Sequence, residues 1–415
     1  MQQHNALPLP ALLGLCGLAG SVQAEGFFDD AKASLQTRNF YLNRDFRDGS
    51  GQSKRAEWAQ GFVLDLRSGY TPGTIGVGLD ALGMLGLKLD SSRDRAGTGL
   101  LPVHDDGRAP DEYSKLGLTA KLRVSASELK LGTLVPDLPT VQANNGRLFP
   151  QTFQGGLLSA NEIAGLTLTA GRLERVTDRD QSAAQALQLN NKNGRFRAGV
   201  SADHFDLIGA DYELGKQLTA SYHLGELDDV YRQHFLGLAG SSALGAGKLK
   251  ADLRLALSRD QGAAAGGRID NRALNGLLGY SIAGHGISVG YQQMSGDTGF
   301  PYIDGTDPYL VNFVQINDFA GARERSWQLR YDFDFAKVGL PGLTFMSRYI
   351  QGHDVRLADG SDGRERERNT ELQYIVQQGP LKNLGIRWRN ASYRSDFSRD
   401  ADENRLILSY SIPLL

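Results

Sequence analysis

Taken two residues at a time, long stretches of this chain separate into an apolar row and a polar row. In KLGLTAKLRV, Leu116, Leu118, Ala120, Leu122 and Val124 alternate with Lys115, Gly117, Thr119, Lys121 and Arg123. In KLKADLRLALS, Leu249, Ala251, Leu253, Leu255 and Leu257 alternate with Lys248, Lys250, Asp252, Arg254, Ala256 and Ser258. WQLRYDFDF sets Trp327, Leu329, Tyr331, Phe333 and Phe335 against Gln328, Arg330, Asp332 and Asp334. A period of two is the side-chain repeat of a β-strand, and no stretch carries a convincing 3.6-residue repeat. Breaks rich in Gly, Asn and Asp separate the rows, and LGYSI and ISVGY flank a tight AGHG turn at 283–286. The pattern predicts an all-β, antiparallel chain built from hairpins.

Half-buried strands of a soluble sandwich or propeller also alternate. Here the apolar rows are rich in Leu rather than Val and Ile, and aromatics sit toward their ends: Trp327, Phe335, Tyr280, Tyr291, Trp388 and Tyr410. The opposite rows are densely charged. That combination fits a transmembrane barrel, with lipid outside, a polar lumen and aromatic girdles. Mean hydropathy is negative, and alternation hides such a barrel from hydropathy scans. Residues 1–24 contain no Asp, Glu, Lys or Arg, carry the apolar run ALLGLCGLAG and end in Val22-Gln23-Ala24, as a secretory signal peptide does. The one cysteine, Cys16, lies inside it, so the mature chain would have no disulfide. Removing 24 of 415 residues leaves 391 for the barrel, residues 25–415. At roughly 22 residues per strand and connection, that predicts about 18 strands, each spanning about 9 to 11 residues. The final row, Leu406, Leu408, Tyr410, Ile412 and Leu414, then faces lipid while the last strand pairs with the first.

Searches for chemistry return little. CxxC, HExxH, P-loop, GxSxG and GxGxxG signatures are missing, and the seven histidines have no ligand spacing, so neither a metal nor a cofactor is expected. A formal net charge of −2 offers nothing to nucleic acid. KRAEWAQGF and the RERER run at 364–368 read as solvated faces. What remains is cationic: Lys121, Arg123, Arg254, Arg330, Arg348, Arg387 and Arg389 all fall on polar rows, and in IRWRN the arginines flank an outward Trp388. Guanidinium groups spread along one lumen would form a track for carboxylates, or would pair with wall carboxylates such as Asp332 and Asp334. Two segments break the strand pattern and are long enough to fold inward as a constriction: 135–156, with Arg147, and 295–319, with Tyr302, Asp304, Asp307 and Tyr309.

Several motifs resemble the OprD family of outer-membrane porins: GFFDDAKASLQTRNFYLNRDFR, EWAQGFVLDLRSGYTPGTIGVGLDALGMLGLKLD, GTGLLP, EYSKLGLTAKLRVSASELKLGTLVPDLP, NNGRLFPQTFQGG and WQLRYDFDFAKVGLPGLTF. The segment 295–319 is most similar to the branch that takes carboxylates, including benzoate-type porins. The resemblance implies an 18-stranded outer-membrane barrel narrowed by inward loops; the sequence shows no catalytic constellation, so no enzymatic activity is expected. It implies a basic ladder, which maps onto Lys121, Arg123, Arg330, Arg348, Arg387 and Arg389. It places Arg147, Asp304 and Asp307 at the constriction, where Tyr302 and Tyr309 of the 295–319 segment are expected to meet the rest of the solute. The expected partners are small anionic solutes, probed first with benzoate, and the lipid and lipopolysaccharide around a monomer or loose homotrimer. Two alternatives stay open: a channel for basic amino acids or small peptides, and, more remotely, a barrel enzyme.

Overall fold

The computed structural model describes residues 26–415, so the signal-peptide reading of 1–24 lies outside the described residues. Eighteen antiparallel strands form one sheet: β1 (Lys32–Phe46), β2 (Lys54–Arg67), β3 (Ile75–Asp90), β4 (Glu112–Val124), β5 (Ser127–Leu134), β6 (Thr152–Ile163), β7 (Leu166–Thr177), β8 (Phe205–Leu214), β9 (Leu218–Leu227), β10 (Tyr231–Leu244), β11 (Gly247–Asp260), β12 (Asp270–Ile282), β13 (His285–Gly296), β14 (Arg325–Asp334), β15 (Leu343–Arg356), β16 (Asp362–Ile375), β17 (Gly385–Ser395) and β18 (Ala401–Pro413). Each pairs with its neighbours in sequence, and β18 returns to β1 with Leu406 opposite Tyr41 and Ile412 opposite Leu35. The sheet is therefore a closed barrel without an edge. Several strands exceed the 9 to 11 residues needed to cross a bilayer, β3 reaching 16; the excess extends the wall beyond the hydrocarbon. Phe335, expected at the end of a strand row, instead opens a short 3-10 turn after β14.

The exposed rows decide between a membrane barrel and a soluble sandwich. On β4, Leu116 is 69% and Leu118 52% exposed, and on β13 Ile287 and Val289 stand out in the same way. Leaving a large aliphatic side chain in water forfeits about 1.5 to 3 kcal/mol each, and such residues recur round the whole circumference. Facing acyl chains, the same rows cost nothing. Tyr291 and Trp327, register partners on β13 and β14, lie toward one end of the barrel; Tyr280, Trp388 and Tyr410 lie toward the other. These are the two aromatic girdles.

The two ends differ. One carries tight turns, such as Ala283-Gly284 between β12 and β13, where both residues have positive φ (50° and 88°). That is the two-residue turn whose twist matches the flanking strands. The other end carries the long connections 91–111, 135–151, 178–204 and 297–324. By the usual asymmetry of outer-membrane barrels, that end is extracellular. The long loops fold into the lumen and pack there. Phe149, Leu148, Leu100 and Leu101 bury against Phe40 and Leu42 of β1. Ile303 and Leu187 join Phe153, Leu173, Phe205 and Leu227 of the wall. Phe300, Tyr302 and Leu310 cover Phe235 and Met294. The apolar core of this barrel lies between its wall and its loops, which is why aromatic-rich loops are ordered here. The sequence pointed to two inward segments; 91–111 and 178–204 are two more.

Candidate functional site

Below the packed loops an open cavity of 1690 Å³ reaches down to the short turns at Gly247, Ala283-Gly284 and Lys337. A second, of 770 Å³, lies beside it, and Val135, Pro136 and Asn145 line both. The 135–151 loop is thus a partition within the lumen. Ten Lys and Arg and eight Asp and Glu line the larger cavity. Their distribution matters more than their sum. Arg44, Arg330, Arg348, Arg389 and Arg405 come from β1, β14, β15, β17 and β18, which are consecutive round the barrel apart from β16. Asp137, Asp178, Asp180, Asp304 and Asp307 come from the inward loops. Arg147, Arg179 and Lys192 also come from the loops and Asp332, Asp334 and Glu371 from the wall, so the wall carries a net excess of cations and the loops a net excess of acid, and low-dielectric walls concentrate the field between them.

The wall cations differ in how far they are already neutralised. Arg330 makes a bidentate pair with Asp332, 2.7 Å at each oxygen. Arg389 lies 3.0 Å from Glu371, and Arg387 donates to Gln373 at 2.7 Å with Glu371 at 3.6 Å. Arg348 stands cross-strand from Arg330. Its Nε donates to Asn369 at 3.1 Å, and among the described residues no carboxylate lies within 4.0 Å of its guanidinium. Lys121 lines the smaller cavity, 2.6 Å from Asp80 and hydrogen-bonded to the Ser68 carbonyl. Arg123 is stacked 4.2 Å over the Tyr70 ring. Arg387 and Arg123 border neither cavity.

Three wall arginines were not singled out from sequence. Arg405 is buried, held by Glu403 at 2.6 Å and the Gln315 carbonyl at 2.9 Å. Arg44 holds the other oxygen of Glu403 at 2.7 Å. Arg38 donates to the carbonyl of Arg147 and to Asn145. The phase of β18 signals Arg405, which opens a polar row. Arg38 and Arg44 share their inward row with Phe40 and Leu42, so alternation does not reveal them.

Loop residues are fixed by polar contacts. Arg147 donates to the carbonyls of Thr98 and Gly146 at 2.9 and 3.0 Å; burial, then Arg405 and Arg179 nearby, push its pKa down. Asp304 accepts from Asn190 at 2.6 Å. Asp307 caps the N–H of Tyr309 at 2.9 Å, and burial pushes its carboxyl up to about 6. Tyr309 does not border the cavity; its left-handed backbone (φ 56°) is clamped by Arg254, which stacks 4.0 Å over the ring and donates to the Tyr309 carbonyl at 2.8 Å. Tyr302 borders the cavity but gives its hydroxyl to Asp318 at 2.9 Å. Asp318 also takes a bidentate pair from Arg195, 2.7 Å twice, tying the 297–324 loop to the 178–204 loop. Burial would raise the Asp318 carboxyl, but Arg195 and Lys192 outweigh it and hold it far below the usual carboxylate range.

The arrangement can select and slow a small charged solute, through a narrowed passage with fixed charges. Similar proteins have the same architecture. The family model for "outer membrane porin, OprD family" matches residues 25–414. Among solved structures, OccK5 (OpdH) of Pseudomonas aeruginosa is 60% identical over 94% of this chain and 100% of its own, with a TM-score of 0.86. A BenF-like porin of Pseudomonas fluorescens Pf-5 is 41% identical at the same coverage, TM-score 0.91. OpdK of Pseudomonas aeruginosa, solved with vanillate, is 43% identical at the same coverage, TM-score 0.89.

Proposed function

This chain belongs to the OprD family of outer-membrane porins, and from that premise we propose that it admits small carboxylates, aromatic acids such as benzoate among them. It is an integral outer-membrane channel. The observation that carries the finer reading is Arg348, an unneutralised guanidinium on a wall whose other cations are partly paired, bordering the main cavity. A carboxylate passing the loops exchanges water for the fork of Arg348, with Arg330 and Arg389 on either side, and leaves through the turn end. Each contact must stay weak for the solute to move on. The vanillate-bound OpdK and the BenF-like porin support an aromatic acid as the remainder of the solute. The reading requires no catalytic step, and we take the chain not to be an enzyme.

A second reading has its own observation. Asp178, Asp180, Asp304 and Asp307 border the same cavity and would suit the cationic end of a basic amino acid or small peptide. Single-channel recording separates the two. With purified protein in planar bilayers, benzoate is expected to block the current in a concentration-dependent way while arginine has little effect. Block by arginine alone would overturn the carboxylate reading in favour of the basic solute.

A further inference from the structure

On β16 the run DGRERERNTELQYI turns two chemistries in opposite directions. Glu365 and Glu367 point inward, are buried, and hold the constriction. Glu367 accepts from the N–H groups of Ile316 and Asn317 at 3.1 and 2.9 Å, and Glu365 from Asn317 and Tyr393 at 2.5 Å each. The two-residue repeat then sends Arg364, Arg366 and Arg368 outward, and all three are exposed. Among the described residues, none of their guanidiniums has a carboxylate within 4.0 Å. Asp396 accepts the backbone N–H of Arg364 at 2.8 Å without reaching its guanidinium, and most other neighbouring outward charges are already engaged. Arg394, cross-strand from Arg366, is held by Asp402 at 2.9 Å; Arg325 lies 3.6 Å and His353 3.0 Å from Asp354; Arg356 lies 3.8 Å from Asp362.

Depth in the membrane is set by what lies beside the row. Further along β16, Leu372 and Tyr374 face outward and belong to the apolar band. Arg368 stands cross-strand from Tyr349, whose ring is 5.7 Å from Trp327 of the extracellular girdle. The arginines therefore begin where the hydrocarbon ends and climb through the head-group layer of the outer leaflet, roughly 7 Å apart for alternate residues of a strand. Solvation explains polar side chains at this level. Three unpaired like charges on one face of one strand repel one another, the more so in the low dielectric near hydrocarbon, and an anion seated among them relieves that repulsion.

We propose that Arg364, Arg366 and Arg368 form a strip that binds the phosphate groups of outer-leaflet glycolipid, that is, lipopolysaccharide held against the barrel wall. Guanidinium is suited to this because its planar fork takes two phosphate oxygens at once. The test uses the full mature barrel in detergent, titrated with fluorescent bisphosphorylated lipid A. Basic residues near a charged lipid surface act additively, so R364Q/R366Q/R368Q is expected to weaken binding on the order of a hundredfold. The triple lysine variant should retain most of the affinity, and both variants should keep wild-type single-channel conductance, which shows the barrel intact. Equal lipid A binding by wild type and the glutamine variant would overturn the proposal. So would displacement of lipid A by inorganic phosphate at equal concentration, which would make the strip a site for free anions.

Discussion

Replacing Arg348 with Gln removes one positive charge from the lumen without emptying its place. Gln keeps an N–H donor for Asn369, the Arg348 partner at 3.1 Å, and Asn369 retains Glu367 at 2.7 Å. The barrel should fold as before. The electrostatic loss is set by distance and screening. A carboxylate about 4 Å from a guanidinium gains about 1 kcal/mol in bulk water and about 4 kcal/mol at a protein surface. The Arg348 side chain borders an open cavity, so the low end applies, about 1 to 2 kcal/mol. The concentration of benzoate that half-blocks the channel should rise by about 5- to 30-fold. The same substitution at Arg330 should matter less, since Asp332 already takes two of its three guanidinium nitrogens. Titrated block in planar bilayers at low and high salt measures both effects. High salt should compress the difference, because mobile ions screen a lumen charge. An unchanged half-blocking concentration in R348Q, or a larger effect from R330Q, would refute the argument that unpaired cations dominate.

Other outcomes follow from the same geometry. Substituting Asp318 with Asn leaves the buried Arg195 without its bidentate partner, at a cost of about 3 to 5 kcal/mol to the loop junction; protease susceptibility of 297–324 and channel noise should both rise, and quiet wild-type currents would contradict this. Asp307, with its carboxyl raised to about 6 by burial, is ionised at pH 7 and neutral well below pH 6, so the acidic side of the cavity loses a charge on acidification. Benzoate block should tighten from pH 7 to pH 5.5 in wild type and stay flat in D307N; a parallel shift in the variant would assign the titration elsewhere. Gly305 has a φ of +76°, and a Cβ there would fall 2.6 Å from the Gln151 amide and 2.7 Å from Asp178, so G305A should perturb the junction between these loops and alter conductance while leaving heat-resistant barrel migration intact. Replacing Arg387 and Arg389 together with Gln should lower benzoate flux, chiefly through Arg389, which borders the cavity where Arg387 does not; the single R389Q variant measures that share.

What the amino-acid order determined by itself was the barrel: strand character, closure, a strand number near eighteen, and which face of a strand meets lipid. Alternation is a local property, and it is strongest where a polar lumen wall backs onto hydrocarbon, as on β4, β11 and β14. The inward phase of Lys121, Arg330, Arg348 and Arg389 was legible for that reason. Reading failed where loops cover the wall. On β1 the inward row mixes Phe40 and Leu42 with Arg38 and Arg44, because those two apolar side chains pack against Leu148 and Phe149 of the 135–151 loop, and the alternation disappears. RERER looked like one solvated face, yet its two carboxylates are buried under the 297–324 loop. Only the tertiary structure decided which cations are spent and which are free. Lys121 finds Asp80 forty-one positions away, Arg44 finds Glu403 at the other end of the chain, and Arg348 finds no carboxylate within 4.0 Å among the described residues. Charge pairing depends on separations of a few ångströms across strands and loops, and closure of the barrel sets those separations, which spacing along the chain does not encode.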